Sequence, residues 1–143
     1  MISFDGLSED TQALTPYLTV KDGYKMLDFY QAAFGAEVLA VHHVPETKRI
    51  THGTLRIGGC LFFINDEFPQ FGKLAPITTG QTSTTIHIQV AEGLDELYAR
   101  ALAAGATGLM EPADQFWGDR FAIIADPSGH HWSIGMTIST LRE

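Results

Sequence analysis

Between Thr15 and Val20 polar and apolar residues alternate: Pro16, Leu18 and Val20 share one side, Thr15, Tyr17 and Thr19 the other. That is the period of a half-buried strand, with proline tolerated near its start. The period then changes. Met26, Phe29, Tyr30 and Ala33 recur at helical spacing and form one apolar face, which Asp22 can cap and Gly35 can end. Strands are predicted at Val38–Val44, Arg49–Ile57 and Cys60–Asn65, with Gly58-Gly59 turning the hairpin between the last two. Residues 1–13 are polar and without period, and read as a flexible arm; residues 67–82, broken by Pro69, Gly72, Pro76 and Gly80, read as a linker.

The rest of the chain replays this order. A strand is predicted at Thr84–Val90, a helix at Gly93–Ala104 with Leu94, Leu97 and Ala101 on one face, and a short strand at Gly108–Glu111. A loop at Gln115–Gly118 follows, then a hairpin of Arg120–Ala125 and His130–Met136 around Asp126-Pro127-Ser128-Gly129. With an offset of 70 residues and no gap, Thr15 falls on Thr85, Val20 on Val90, Leu27 on Leu97, Gly35 on Gly105 and Ile64 on Ile134. The fold expected is α+β: two βαβββ modules, about 14–66 and 83–138, in a single domain 14–143. Each helix needs one face of its sheet. Ile86, Ile88 and Val90 therefore go under the second helix, and Thr85, His87 and Gln89 face a cavity. The same alternation sends Thr15, Tyr17 and Thr19 to the cavity in the first module.

Composition narrows the partners. The 143 residues carry a formal charge of −8, which argues against a nucleic-acid backbone or an anionic membrane surface. Cys60 is the sole cysteine, so no intrachain disulfide forms, in keeping with a reducing compartment. The acidic start, with no apolar core segment, does not read as a signal peptide, and no apolar run is long enough to span a bilayer. A cytoplasmic protein is expected.

Several stretches carry a family resemblance. They are Thr15-Pro16-Tyr17-Leu18; Phe29-Tyr30 with Ala33-Phe34-Gly35-Ala36-Glu37; and His52 ahead of Leu55-Arg56-Ile57-Gly58. To these add Gln115-Phe116-Trp117-Gly118-Asp119-Arg120-Phe121, then Asp126-Pro127-Ser128-Gly129-His130 and Trp132-Ser133-Ile134. The chain resembles the vicinal oxygen chelate superfamily (glyoxalase I, bleomycin and fosfomycin resistance proteins, extradiol dioxygenases), and most of all its PhnB-like, glyoxalase-like branch. The resemblance implies a cupped mixed sheet around a small-molecule site. It also implies a homodimer in which modules of two subunits complete each cup, and, in many members, a divalent ion held by His, Gln or Glu.

Carried over residue by residue, the ligand positions of that resemblance fall on Thr15, Phe63, Thr85 and Ser133. None is a usual ligand for Mn, Ni, Fe or Zn, so no standard metal site is expected. A shifted site would have to use His52, His87 or His131. Cys60 reads as packing and Ser128 as a turn residue. The ligand-binding candidates are Thr15, Tyr17, Thr19, Phe63, Thr85, His87, Gln89, His131 and Ser133. Trp117 joins them as an aromatic lid, and Arg120 as a partner of Asp119, of a second subunit or of an anionic ligand. Two functions stand side by side. One is a metal-free small-molecule-binding protein like the bleomycin resistance proteins. The other is a glyoxalase-type or related enzyme (lyase, isomerase or dioxygenase class) using a shifted metal or His87 and Tyr17 as acid–base groups.

Overall fold

The computed structural model describes residues 1–138; residues 139–143 of the expected domain lie outside the described residues. The first module runs β1 (Tyr17–Val20), α1 (Gly23–Phe34), β2 (Glu37–His43), β3 (Ile50–Ile57) and β4 (Cys60–Asp66). A short connection with one-turn helix α2 (Pro76–Thr79) leads to the second: β5 (Thr85–Gln89), α3 (Leu94–Ala104), β6 (Thr107–Asp114), β7 (Asp119–Ala125) and β8 (His131–Thr137). Asp22 caps α1 as expected, its carboxylate accepting from the Lys25 amide at 3.4 Å. Gly35, at φ 68°, turns the chain out of the helix while its N–H returns to the Gln31 carbonyl. Gly58 and Gly59 both have positive φ, the requirement of a two-residue hairpin turn.

The strand orders are β1-β4-β3-β2 and β5-β8-β7-β6, the same arrangement twice. β1 runs parallel to β4 with Tyr17 opposite Phe63, and β5 parallel to β8 with His87 opposite Ser133, the same pair moved by 70 residues. The register slips by one residue across the hairpins. Gly53 faces Ile64 in the first module, but Ala122, not Ile123, faces Ile134 in the second. The first hairpin closes on Gly58-Gly59, whereas the second carries the longer loop 126–130. β6 extends past the expected end at Glu111, through Pro112 to Asp114. It is the edge strand of its sheet, where a proline costs no ladder bond.

Both helix-bearing sheet faces meet in one core. Tyr30 and Phe34 of α1 pack on Phe62 of the first sheet and on Trp132 of the second, with ring centroids 4.9–5.6 Å apart. Ala101 of α3 and Ile124 of β7 belong to the same buried cluster. The modules are also joined by polar contacts. Asp126 is 4% exposed, and its carboxylate accepts from the Tyr30 hydroxyl at 2.6 Å, the Trp132 indole at 2.9 Å and the amides of Ser128 and His130. Burial, then the adjacent Asp126, pushes the Tyr30 phenol well above its ordinary range, so it stays a donor. From the same loop, Ser128 Oγ accepts from the Lys21 amide and His130 Nε2–H donates to the Thr19 carbonyl.

The end of the arm is better fixed than its composition implies. The Gln12 side chain accepts from the Leu61 amide at 3.0 Å and donates to the Leu61 carbonyl at 2.9 Å, as a neighbouring strand would. Asp126→Ala is expected to cost about 3–5 kcal/mol, because it strands several buried donors together, and Tyr30→Phe about 1–2 kcal/mol. Urea denaturation measures both; a loss below about 1 kcal/mol for Asp126→Ala would refute the inter-module role.

Candidate functional site

With their helix-bearing faces joined in the core, the two sheets present their other faces to the outside. Strand alternation fills these faces as expected: β5 reads exposed, half-buried, exposed from Thr85 on, with Ile86 and Ile88 turned inward.

On the first sheet the face is built around Tyr17, Phe63 and His52. Tyr17 meets both other rings edge-on at 5.3–5.4 Å, and its hydroxyl lies 2.8 Å from His52 Nδ1. His52 Nε2 lies 3.2 Å from Thr54 Oγ1. Burial raises the Tyr17 phenol above its ordinary value. Burial first, and His42 second, lower His52. At neutral pH, therefore, a protonated phenol faces a neutral imidazole. Thr19 is turned to Asn65, donating to its side-chain oxygen at 2.9 Å.

On the second sheet the centre is His87. Its Nδ1 lies 2.8 Å from Ser133 Oγ and its Nε2 2.7 Å from Gln89 Oε1. Its ring stacks on Phe121 at 6.0 Å and 14°. Phe121 in turn meets Trp117, whose indole N–H donates to Asp119 at 3.1 Å. Trp117 and Phe116 remain exposed at the rim. Phe121 was not among the expected site residues, although its place opposite Gly135 follows from the period of β7.

The free edges of β1 and β5 border a groove of about 790 Å³. Thr15, Tyr17, Thr85, His87, Gln89 and His131 line it, beside Leu14, Leu18, Ile86 and Ile88. Six of the expected residues thus come together on this groove, while Phe63, Ser133, Thr19 and Trp117 lie outside its lining. Arg120 requires a correction. It pairs with Met136 in register, on the side of α3, and its guanidinium forks onto Asp95 at 2.7 and 3.0 Å and onto Asp114 at 2.8 Å. Those two carboxylates hold it protonated and occupied, facing away from the candidate ligand face.

The positions that would carry the family's divalent ion do not suit one. Phe63 offers a phenyl ring, Thr15 already donates to the Gln12 carbonyl, and the Ser133 hydroxyl is engaged by His87. His52 sits on one sheet, His87 and His131 on the other, and among the described residues no three of His, Cys, Asp and Glu come together.

Paired βαβββ modules with open polar-aromatic faces define a glyoxalase-like α+β protein. Residues 12–134 match the model of the Glyoxalase/Bleomycin resistance protein/Dioxygenase superfamily, and the chain belongs to that family. An uncharacterized protein of Mycobacterium bovis is 44% identical over 129 residues, covering 88% of this chain and 84% of its own. Two solved structures share the fold. One is a mutant of the fosfomycin resistance protein FosX from Listeria monocytogenes, complexed with Mn(II) and 1S,2S-dihydroxypropylphosphonic acid. It has a TM-score of 0.69 and 21% identity, covering 98% of this chain and 96% of that one. The other is a PhnB protein from Bacillus cereus, at TM-score 0.65 and 19% identity, covering 88% and 100%. Among the described residues no helix is long and apolar enough to cross a membrane.

His52 is expected to titrate below the usual histidine value of about 6.5. Because the folded state disfavours its protonation, its contribution to stability is present above that value and is lost as the pH falls toward the folded midpoint. An NMR titration reads the midpoint directly. His42→Ala should raise it by removing a neighbouring imidazole that opposes protonation; a wild-type midpoint above about 6.5 would refute the lowering by burial and His42.

Proposed function

We propose that this chain is a small-molecule-binding protein of the glyoxalase/bleomycin-resistance kind that works as a cytoplasmic homodimer without the family's divalent ion. The observation that carries the reading is the engagement of Ser133 by His87. A position that would otherwise supply a metal ligand instead holds a hydroxyl bonded within the protein. Each open face is half of a cup: Tyr17, His52 and Phe63 form one half, and His87, Gln89, Ser133 and Phe121 the other. A second copy brings the missing half to each. The groove between the free edges of β1 and β5, with Leu14 88% exposed beside it, is the surface such a copy covers. Within the completed cup the aromatic rings supply apolar contact, and the hydroxyl, imidazole and amide groups supply direction.

A second reading is favoured by one contact. The Tyr17 hydroxyl at 2.8 Å from a neutral imidazole is a proton-transfer pair, the arrangement a metal-free enzyme of this fold would use. His52, rather than His87, is then the base, because it is the imidazole that meets a phenol, whereas His87 meets a serine and an amide.

Metal analysis of protein purified without chelators tests the main reading: substoichiometric Mn, Ni, Fe and Zn are expected, with no rise in melting temperature on adding any of them. One tightly held ion per chain would overturn it. Light scattering should give twice the 15.7 kDa chain mass, and Leu14→Asp should weaken the dimer by about tenfold or more without unfolding the chain. A wild-type monomer at micromolar concentration would sink the shared cup.

A further inference from the structure

We propose that Ser133, His87 and Gln89 form a directed hydrogen-bond relay that holds the Gln89 amide as a donor toward the open face, so that the site selects ligands bearing a neutral carbonyl oxygen. The inference rests on the reading of this face as a small-molecule site and deepens it.

The direction of the relay follows from burial. Ser133 is 4% exposed, and among the described residues His87 Nδ1, at 2.8 Å, is the one hydrogen-bond partner of its side chain. A hydroxyl buried that far must give its proton to an acceptor. An imidazole that accepts at Nδ1 carries its own proton on Nε2. That nitrogen lies 2.7 Å from Gln89 Oε1, so it donates there. The amide oxygen is thereby used, and the amide NH2 of the exposed Gln89 is left for a ligand. Reversing the chain would leave the buried Ser133 O–H without an acceptor.

Gly135 explains how the relay fits. It lies opposite Gln89 on β8 and does not have positive φ, so backbone conformation does not require a glycine. A Cβ built there would stand 2.8 Å from Gln89 Oε1 and 2.8 Å from His87 Cε1. The missing side chain is the space the relay occupies, and Phe121 stacks on the imidazole. Ser133, His87 and Gly135 are thus positioning residues, and Gln89 makes the contact.

Charge selects within the class of acceptors. Among the described residues no Lys or Arg lines the adjoining groove, and Arg120 is turned away and held by two carboxylates. On a chain of formal charge −8, a neutral carbonyl suits this donor better than a carboxylate.

Two NMR measurements test the proposal. Long-range ¹H–¹⁵N correlation on the ligand-free wild type should show His87 with its proton on Nε2, and Ser133→Ala should mix the two tautomers. Titration with benzamide, benzoate and benzylamine should then move the Gln89 side-chain amide signals with benzamide. Benzoate should bind at least about tenfold more weakly, and benzylamine should leave those signals in place. Gln89→Glu, which replaces the donor by an acceptor, should reverse the preference toward benzylamine, and Gly135→Ala should displace the tautomer signature. A proton on Nδ1 in the wild type overturns the relay whatever the probes do. An Nε2 proton with benzylamine preferred overturns the selectivity. An Nε2 proton with no response on this face to any probe overturns the small-molecule reading, and the selectivity with it.

Discussion

The structure turns on the buried carboxylate of Asp126. Apolar packing between α1, α3 and Trp132 leaves sliding and rotation open, and the other polar ties between the modules, such as Arg100 to the Ala32 carbonyl, are single contacts. Asp126 accepts from a tyrosine on α1, an indole on β8 and two amides of its own loop, so the second hairpin is keyed to the first helix at one point. The neighbouring Ser128 and His130 then fasten the end of β1. A charge this deep is costly to desolvate, and what it adds is geometry: one relative placement of two sheets satisfies all its donors. That placement unites the helix faces in one core and leaves the other faces open, which is why the candidate site is divided.

The duplicated architecture also shows how one backbone carries two chemistries. Equivalent positions hold Tyr17 and His87, Phe63 and Ser133, Thr19 and Gln89, Asn65 and Gly135. In the first module the pair beside the phenol is aromatic, and the imidazole comes from β3. In the second the imidazole is on the first strand, with a hydroxyl and an empty glycine beside it. The same parallel ladder thus fixes a phenol–imidazole pair on one sheet and a serine–imidazole–amide chain on the other. Neither set gathers the carboxylates and free imidazoles that a divalent ion requires.

Much of this was legible in the chain. The facing of β5 followed from alternation alone, because Ile86 and Ile88 have one place to go once α3 covers the sheet. The caps at Asp22 and Gly35 and the turn at Gly58-Gly59 follow from local chemistry that neighbours do not override. Other features were legible but outweighed by a wrong weighting. Arg120 opens the expected strand Arg120–Ala125, and alternation with Phe121 along β7 sends its guanidinium to the helix side, which leaves it no anionic ligand to meet on the candidate face. Pro112 read as a strand end because nothing local says that β6 is an edge. Pro69 and Pro76 each open a short helical turn that a left-handed glycine closes, within the stretch whose composition reads only as a linker.

What composition and period could not supply is the relation between the modules. Alternation states which side of a strand a residue occupies, not which other sheet that side will meet. Alternation sends both sets of residues to a cavity without saying whether one chain or two close it; the bonds around Asp126 place the helices' faces together and turn the candidate ligand faces outward. The partner of Tyr17 was likewise hidden. His52 lies 35 residues along the chain, on a strand whose face was ambiguous until the β3–β4 register set Thr54 opposite Phe63 and so put His52 on the same side. A site assembled from two strands of different registers is specified by pairing, and pairing is where the one-residue slip between the hairpins matters. The slip lets β3 and β7 offer different residues to otherwise equivalent faces, so the two halves of a cup built on one repeat need not be copies of each other.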